Sequence, residues 1–364
     1  MKRFPAFDPP EYVAWQPDPA LGSAYRRTVT EQPDRAALIA TLSREDHAAL
    51  YAGLLRTRLH DITLKRWVRT GVISKAWLGT GEEALTVGPV HALRRDTDVV
   101  APMIRNAGAV VEMGMPIAAA LRAYLATADS PSRGRDLHVG DLRSGVLQPI
   151  SHVGDVVPVV AGMALAFQQR GEPRVALTWV GDGSTKTAAA HEGTNFAAVR
   201  RLPVIFVLQN NQVALGTRVE QHHLPGTFRD WAASYGVWGL ECDGNHVLDC
   251  WAATRIAADR CRAGQGPALI VAETFRMGGH ATHDEREARE TFPARLFAEW
   301  GKRDPIGQYE EYLKEAGWSA AQLTDVETRV VAQVEEAEQE ALRSRAHMPA
   351  GDLALGAVYA AGTS

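Results

Sequence analysis

Short, nearly continuous apolar runs recur through the middle of the chain: VALTWV (175–180), VIFVLQ (204–209), VWGLECD (237–243) and ALIVAET (268–274). Runs of this length predict strands buried on both faces. Between them, 187–200 is Ala-rich and helix-permissive, and 247–262 carries a helical pattern. Strands alternating with helices predict a doubly wound α/β fold, a mostly parallel sheet with helices on both faces. Upstream, Ser43-Arg44-Glu45-Asp46 has the hydroxyl cap and first-turn acids of a helix running toward 69. Residues 79–94 read as a loop entering a second helix, and 158–169 as a buried Ala/Val-rich helix.

The two ends of the chain break this pattern. Residues 1–42 read as an irregular arm, because Pro5, Pro9, Pro10, Pro17 and Pro19 argue against a helix. Phe4, Phe7, Tyr12 and Trp15 need a surface to bury against, on a partner or on the arm's own domain. Ser319 to Gln322 forms a capping-box pattern, and Leu323, Val326, Val330 and Val334 follow at helical spacing toward 345. The expected divisions are an arm at 1–42, an α/β domain at 43–300 and a helical segment at 301–364, with the charged run DEREARE near the second boundary.

Composition narrows the function classes. The chain has 364 residues, 46% hydrophobic and 23% charged, an ordinary globular balance. A formal charge of −4 with scattered arginines gives no basic face for nucleic acid. Cys242, Cys250 and Cys261 form no CxxC pair, so a reducing compartment is expected. The opening MKRFPAFDPPEY lacks the apolar core of a secretory signal, and no apolar run approaches the ~20 residues needed to cross a bilayer. A cytoplasmic protein that spans no membrane is expected. No GxGxxG follows an early strand, which argues against a dinucleotide-binding dehydrogenase.

The chemistry lies at two strand ends. Gly181-Asp182-Gly183 terminates one apolar run and Asn210-Asn211 the next, about 30 residues on, the length of one β-α-β crossover. Both turns should therefore share the carboxyl edge of the sheet, where ligands of open α/β folds bind. Asp182 offers a hard anionic oxygen and Asn211 a neutral amide oxygen, a pairing that suits magnesium carrying phosphate oxygens. The glycines permit close backbone approach, and the next helix should aim its N-terminal amides at the anion.

With these motifs in place the sequence resembles the alpha subunit of the thiamine-diphosphate-dependent first component of 2-oxo acid dehydrogenase complexes. GDG…NN resembles that superfamily's diphosphate motif, GEEALTVG (81–88) its GQEA segment, and PMIRNAG (102–108) its YRxxG loop. GRDLHVGD, SHVGDVVPVVAG, NFAAVRRLPVIFVLQNN, CDGNHV, TFRMGGHATHD and RDPIGQYEEYL follow in family order, over roughly 45–345. The resemblance implies a thiamine-diphosphate-binding fold and a set of roles. Asp182, the Asn211 side chain and the Val213 carbonyl would hold magnesium. Arg105 would pair with the diphosphate as a cationic fork. Gly181, Gly183 and Ser184 would meet phosphate oxygens, with Gln209 beside them. Ser151 and the backbone at Val153 would meet the aminopyrimidine. His280 would lie at the reacting centre as the catalytic residue, while His152, His191 and His283 are read as structural. A beta subunit would supply the other half of the cofactor site, in an assembly of two alpha and two beta chains serving a lipoyl-bearing acyltransferase.

The sequence departs from the family at several positions. Ile104 replaces a tyrosine, Gln209 a common Glu or Arg, and Glu82 a Gln. Lys186-Thr187-Ala188 replaces SEG, which removes an acid and adds a cation. Ala281 stands where animal members carry a regulatory serine. Ala107 favours branched-chain 2-oxo acids, with pyruvate next. An acetoin dehydrogenase alpha subunit and a non-catalytic scaffold paralogue are the alternatives.

Overall fold

The computed structural model describes residues 1–225 and 227–354. Residues 355–364, the end of the expected 301–364 segment, lie outside the described residues. The central sheet is built from β1 (Val99–Ala101), β2 (Ala176–Gly181), β3 (Val204–Asn210), β6 (Trp238–Asp243) and β7 (Ala268–Glu273), while β4 (Val213–Ala214) and β5 (Thr217–Arg218) form a small antiparallel hairpin just beyond β3. The sheet order is β1-β2-β3-β7-β6, and every pairing is parallel. The four apolar runs all become strands. β1 was not foreseen, since three residues are too few to show a period.

Alternation along β2 and β3 explains the layering. Leu177, Trp179, Ile205 and Val207 pack in one cluster with Leu85 and Val90 of helix Glu83–Ala92 and Ala253 and Ala257 of helix Val247–Arg262. Ala176, Val180, Val204, Phe206 and Leu208 point the other way, onto helices Val156–Gln169 and Ala188–Arg200. Each Val, Leu, Ile or Phe side chain removed from water here contributes about 1.5–3 kcal/mol. Both faces are thus dry, and a ligand can reach the sheet only at its edge. Helix Val156–Gln169 was expected to be buried, but only one side is: Val159 stays 42% exposed.

The N-terminal arm corrects the proline reading. It contains helices Pro10–Val13, Pro19–Glu31 and Pro33–Ile39, each opening on proline. Proline at the first helical position lacks only a hydrogen that would be unpaired anyway, and its fixed φ suits the helix. The arm packs on its own domain. Tyr12 is fully buried, and the Trp15 ring lies against Gly307. Helix Arg44–Arg69 begins with the Ser43/Asp46 capping box, and helix Ala320–Arg343 with the Ser319/Gln322 box. Both seat apolar faces in the cluster of Leu54, Tyr309 and Val330. Among the described residues, no helix is long and apolar enough to cross a membrane.

Candidate active site

β2 and β3 run parallel with Gly181 opposite Gln209, so Asp182 and Asn211 leave neighbouring strands at the same edge. A cleft of about 540 Å³ opens there. Arg105, Ser151, Val153, Gly181, Asp182, Gly183, Ser184, Val213 and His280 all line it. Gln209 and Asn211 do not line it. They are fully buried and bonded to Glu82.

Glu82 Oε1 accepts hydrogen bonds from Gln209 Nε2 and from Asn211 Nδ2, the latter at 2.8 Å. Gln209 Oε1 in turn accepts from Asn106 Nδ2 at 3.0 Å, and Asn106 also donates to Thr86 Oγ1 at 2.8 Å. Both amides thus turn their NH₂ groups toward the Glu82 oxygen, which accepts from each. The Asn211 oxygen therefore faces away from Glu82 and accepts from the Val213 N–H at 3.4 Å. The sequence marked Glu82 only as a departure from a family motif. Its partners lie 127 and 129 residues away, beyond the reach of local pattern.

Asp182 is 2% exposed, and its Oδ2 has no hydrogen-bond partner. Burial pushes its carboxyl pKa up, opposed by His222, the Gly183 N–H and Arg105. Arg105 Nε and Glu82 Oε2 are also buried without partners, 3.7 Å apart. Native proteins leave few such groups bare. Here they gather around one cleft, as a site that completes its hydrogen bonding on a charged ligand would require.

His280 sits 3.2 Å from Arg105, with its Nδ1 facing the guanidinium NH1. Arg can only donate, so Nδ1 accepts and the remaining proton sits on Nε2. Burial first, then the charges of Arg105 and Arg276, pull the imidazole pKa down to about 4. His280 is thus a neutral Nε2–H donor at pH 7. Asp284 holds its loop by accepting from the backbone N–H groups of His280 and Ala281. Gly279 matters for that contact, because a Cβ there would lie 2.4 Å from Asp284 Oδ1. Neither Gly278 nor Gly279 has positive φ, so close approach and not a left-handed backbone calls for glycine here.

Other details refine the expectations. Gly183 to Lys186 forms a 3₁₀ turn, and helix Ala188–Arg200 starts only after it, capped by Thr187 Oγ1 on the Ala190 N–H. The amides nearest the cleft thus belong to the 3₁₀ turn, not to the helix. A Cβ on Gly183 would lie 2.5 Å from the Ala214 Cβ, so hairpin packing demands that glycine. At Gly181 a Cβ would make only ordinary contacts at 3.6 and 3.7 Å and would take up cleft space instead. Lys186 is not among the lining residues. Its ammonium lies 2.7 Å from His223 Nδ1 and over the Phe228 ring. At the mouth, Ser151 Oγ lies 3.3 Å from His138 Nε2, and Val153 is 60% exposed. Sequence reading missed His222, Asn106 and Arg276.

Among the described residues no group of three or more His, Cys, Asp or Glu side chains converges, so nothing resembles a thiolate or polyhistidine centre. A carboxylate with an amide and a carbonyl oxygen suits a hard divalent cation.

Comparison with known proteins agrees with this geometry. Residues 53–350 match the family described as dehydrogenase E1 component. The 2-oxoisovalerate dehydrogenase subunit alpha of Bacillus subtilis (strain 168) is 32% identical over 324 residues, 88% of this chain and 97% of that protein. The pyruvate dehydrogenase E1 component subunit alpha of Staphylococcus aureus (strain Mu50 / ATCC 700699) is 31% identical over 310 residues, covering 84% and 80%. The 3-methyl-2-oxobutanoate dehydrogenase subunit alpha of Mycobacterium tuberculosis (strain CDC 1551 / Oshkosh) is 34% identical over 278 residues, covering 74% and 71%. The chain belongs to the dehydrogenase E1 component family, in its alpha-subunit branch.

Proposed function

We propose that this chain is the alpha subunit of a cytoplasmic thiamine-diphosphate- and Mg²⁺-dependent 2-oxo acid dehydrogenase. The observation that carries the reading is the cluster of buried, unpartnered charged atoms on Asp182 and Arg105 at one sheet edge. Asp182, Asn211 and the Val213 carbonyl would hold the ion. Arg105 and the 3₁₀-turn backbone at Gly183 and Ser184 would hold the diphosphate, and Ser151 with the Val153 backbone the aminopyrimidine. When bound, the cofactor supplies a carbon nucleophile and an electron sink for decarboxylation. The chain's own residues orient it and exclude water. His280 presents Nε2–H toward the reacting region, as a hydrogen-bond donor to a substrate oxygen.

Ser151 and Val153 stand exposed at the cleft mouth, where a beta subunit would complete the site. The product acyl group would pass to a lipoyl domain. Branched-chain 2-oxo acids are favoured by Ala107 and by the names of two of the relatives. The test is calorimetric titration of the alpha–beta pair with thiamine diphosphate and Mg²⁺, followed by turnover of 3-methyl-2-oxobutanoate, pyruvate and acetoin. Saturable binding and preferential turnover of the branched acid are expected. Absence of cofactor binding would leave a scaffold, and preference for acetoin would reassign the substrate. The Lys186 contact with His223 removes one motive for the scaffold reading, since that cation is engaged outside the cleft lining.

A further inference from the structure

His222 and His223 are adjacent in sequence and opposite in circumstance. His223 is satisfied: Nδ1 meets Lys186, Nε2 donates to the Thr227 carbonyl at 2.8 Å, and the ring stacks on Phe228. His222 ends the one-turn helix Val219–His222 with its side chain 13% exposed, and neither ring nitrogen makes a hydrogen bond. Its Nε2 lies 3.4 Å from Asp182 Oδ2, itself buried and unpartnered. A direct charge-assisted hydrogen bond would sit at about 2.7–2.9 Å. Two ligands of one ion, each about 2.1 Å from it, lie about 3.0–3.5 Å from each other.

We propose that His222 is a ligand of the divalent ion held by Asp182, giving the centre one nitrogen donor. The proposal rests on the ion-and-diphosphate reading above and extends it to the class of metal. Asp182, Asn211, the Val213 carbonyl and His222 would together hold the ion, alongside diphosphate oxygens, in place of a water that magnesium usually retains. An imidazole donor shifts preference from Mg²⁺ toward Mn²⁺ and Co²⁺.

Pulsed EPR of Mn²⁺ with thiamine diphosphate, on the chain purified with its beta-type partner, tests this. A directly bound histidine nitrogen is expected in the wild type, and its signal should change isotope pattern in protein grown with nitrogen-15 histidine. The signal should vanish in His222→Gln and persist in His223→Gln. Mn²⁺ affinity should fall about tenfold in His222→Gln, with Mg²⁺ affinity moving less than about threefold. If His222→Gln does not fold, the isotope experiment on wild-type protein decides alone. Mn²⁺ bound without histidine coupling overturns the proposal and leaves the diphosphate reading standing. Failure of both Mn²⁺ and Mg²⁺ to bind with the cofactor overturns both.

Discussion

Glu82 and Glu83 are neighbours, both fully buried, and their side chains have opposite fates. Glu83 bonds Arg58 and accepts the Gly81 N–H at 2.9 Å. Arg58 also reaches Asp304 at 3.0 Å and Asp8 at 3.4 Å, and lies over the Tyr12 ring. That cluster is closed, with charge answered by charge, and it ties the N-terminal arm to helices Arg44–Arg69 and Glu83–Ala92. Glu82 faces the other side and enters a cluster that is open. Its Oε2 faces Arg105 Nε at 3.7 Å and Asp182 Oδ2 faces His222 Nε2 at 3.4 Å, yet none of these atoms makes a hydrogen bond. The difference separates structural charge from functional charge. The first is closed by hydrogen-bonded ion pairs, and the second holds its charges at longer range beside a cleft.

Breaking the closed cluster should have the largest effect. Arg58→Met removes the one guanidinium shared by Glu83, Asp8 and Asp304, leaving Glu83 and Asp8 without an ion-pair partner and Asp304 with Arg3 alone. A loss of about 3–5 kcal/mol is expected, read by denaturant unfolding. A loss below ~1 kcal/mol would mean that the cluster relaxes or admits water, and the contrast with the cleft would weaken.

The open cluster should respond in the reverse sense. Asp182→Asn removes a buried charge that His222, the Gly183 N–H and Arg105 compensate only in part. The unliganded chain should keep its thermal midpoint or gain a little, because its desolvated carboxylate becomes neutral. Mg²⁺-dependent binding of thiamine diphosphate should fall more than about 100-fold, about 2.7 kcal/mol. Lost stability with unchanged binding would place Asp182 among the structural charges.

The sequence made the frame legible for a physical reason. β2, β3, β6 and β7 are buried strands whose apolar runs need no partner to be recognised, and helix Val247–Arg262 begins and ends where its pattern does. The site's first layer was legible as well, because glycine-flanked Asp182 and the Arg105 and His280 loops are local signals. The second layer was not. Glu82 meets Gln209 and Asn211 across more than a hundred residues, and a one-turn helix brings His222 beside Asp182. The prolines of the arm misled because their effect depends on position: the residue that breaks a helix interior starts a helix at its first turn.

Arg105 offers a smaller way to sharpen the contrast. Its charge helps hold the His280 pKa near 4 rather than the ordinary 6.5. Between those values the unfolded chain takes up a proton that the folded loop refuses. Any stability tied to His280 is therefore present above pH 6.5, declines as pH falls through the window and is gone below about 4. Arg105→Met should raise the midpoint toward 6.5, followed by the imidazole resonances in NMR titration. An unmoved midpoint would assign the depression to burial and Arg276 alone.

The smallest effect is expected at Ile104, which opens the 3₁₀ turn carrying Arg105 and lines the cleft. The resembling family has a tyrosine there, so this chain lacks one hydroxyl donor beside the proposed diphosphate site. Ile104→Tyr should restore it. One net hydrogen bond is worth about 0.5–1.5 kcal/mol, so cofactor affinity should rise about two- to tenfold. Stability of the unliganded chain should stay within about 0.5 kcal/mol, since a ring pointing into the cleft displaces no packed core. Calorimetry on the alpha–beta pair separates the outcomes. Tighter binding makes Ile104 a tuned loss in an otherwise intact site. Weaker binding shows that the ring competes with the ligand for space, and that the open cluster is shaped for the isoleucine it has.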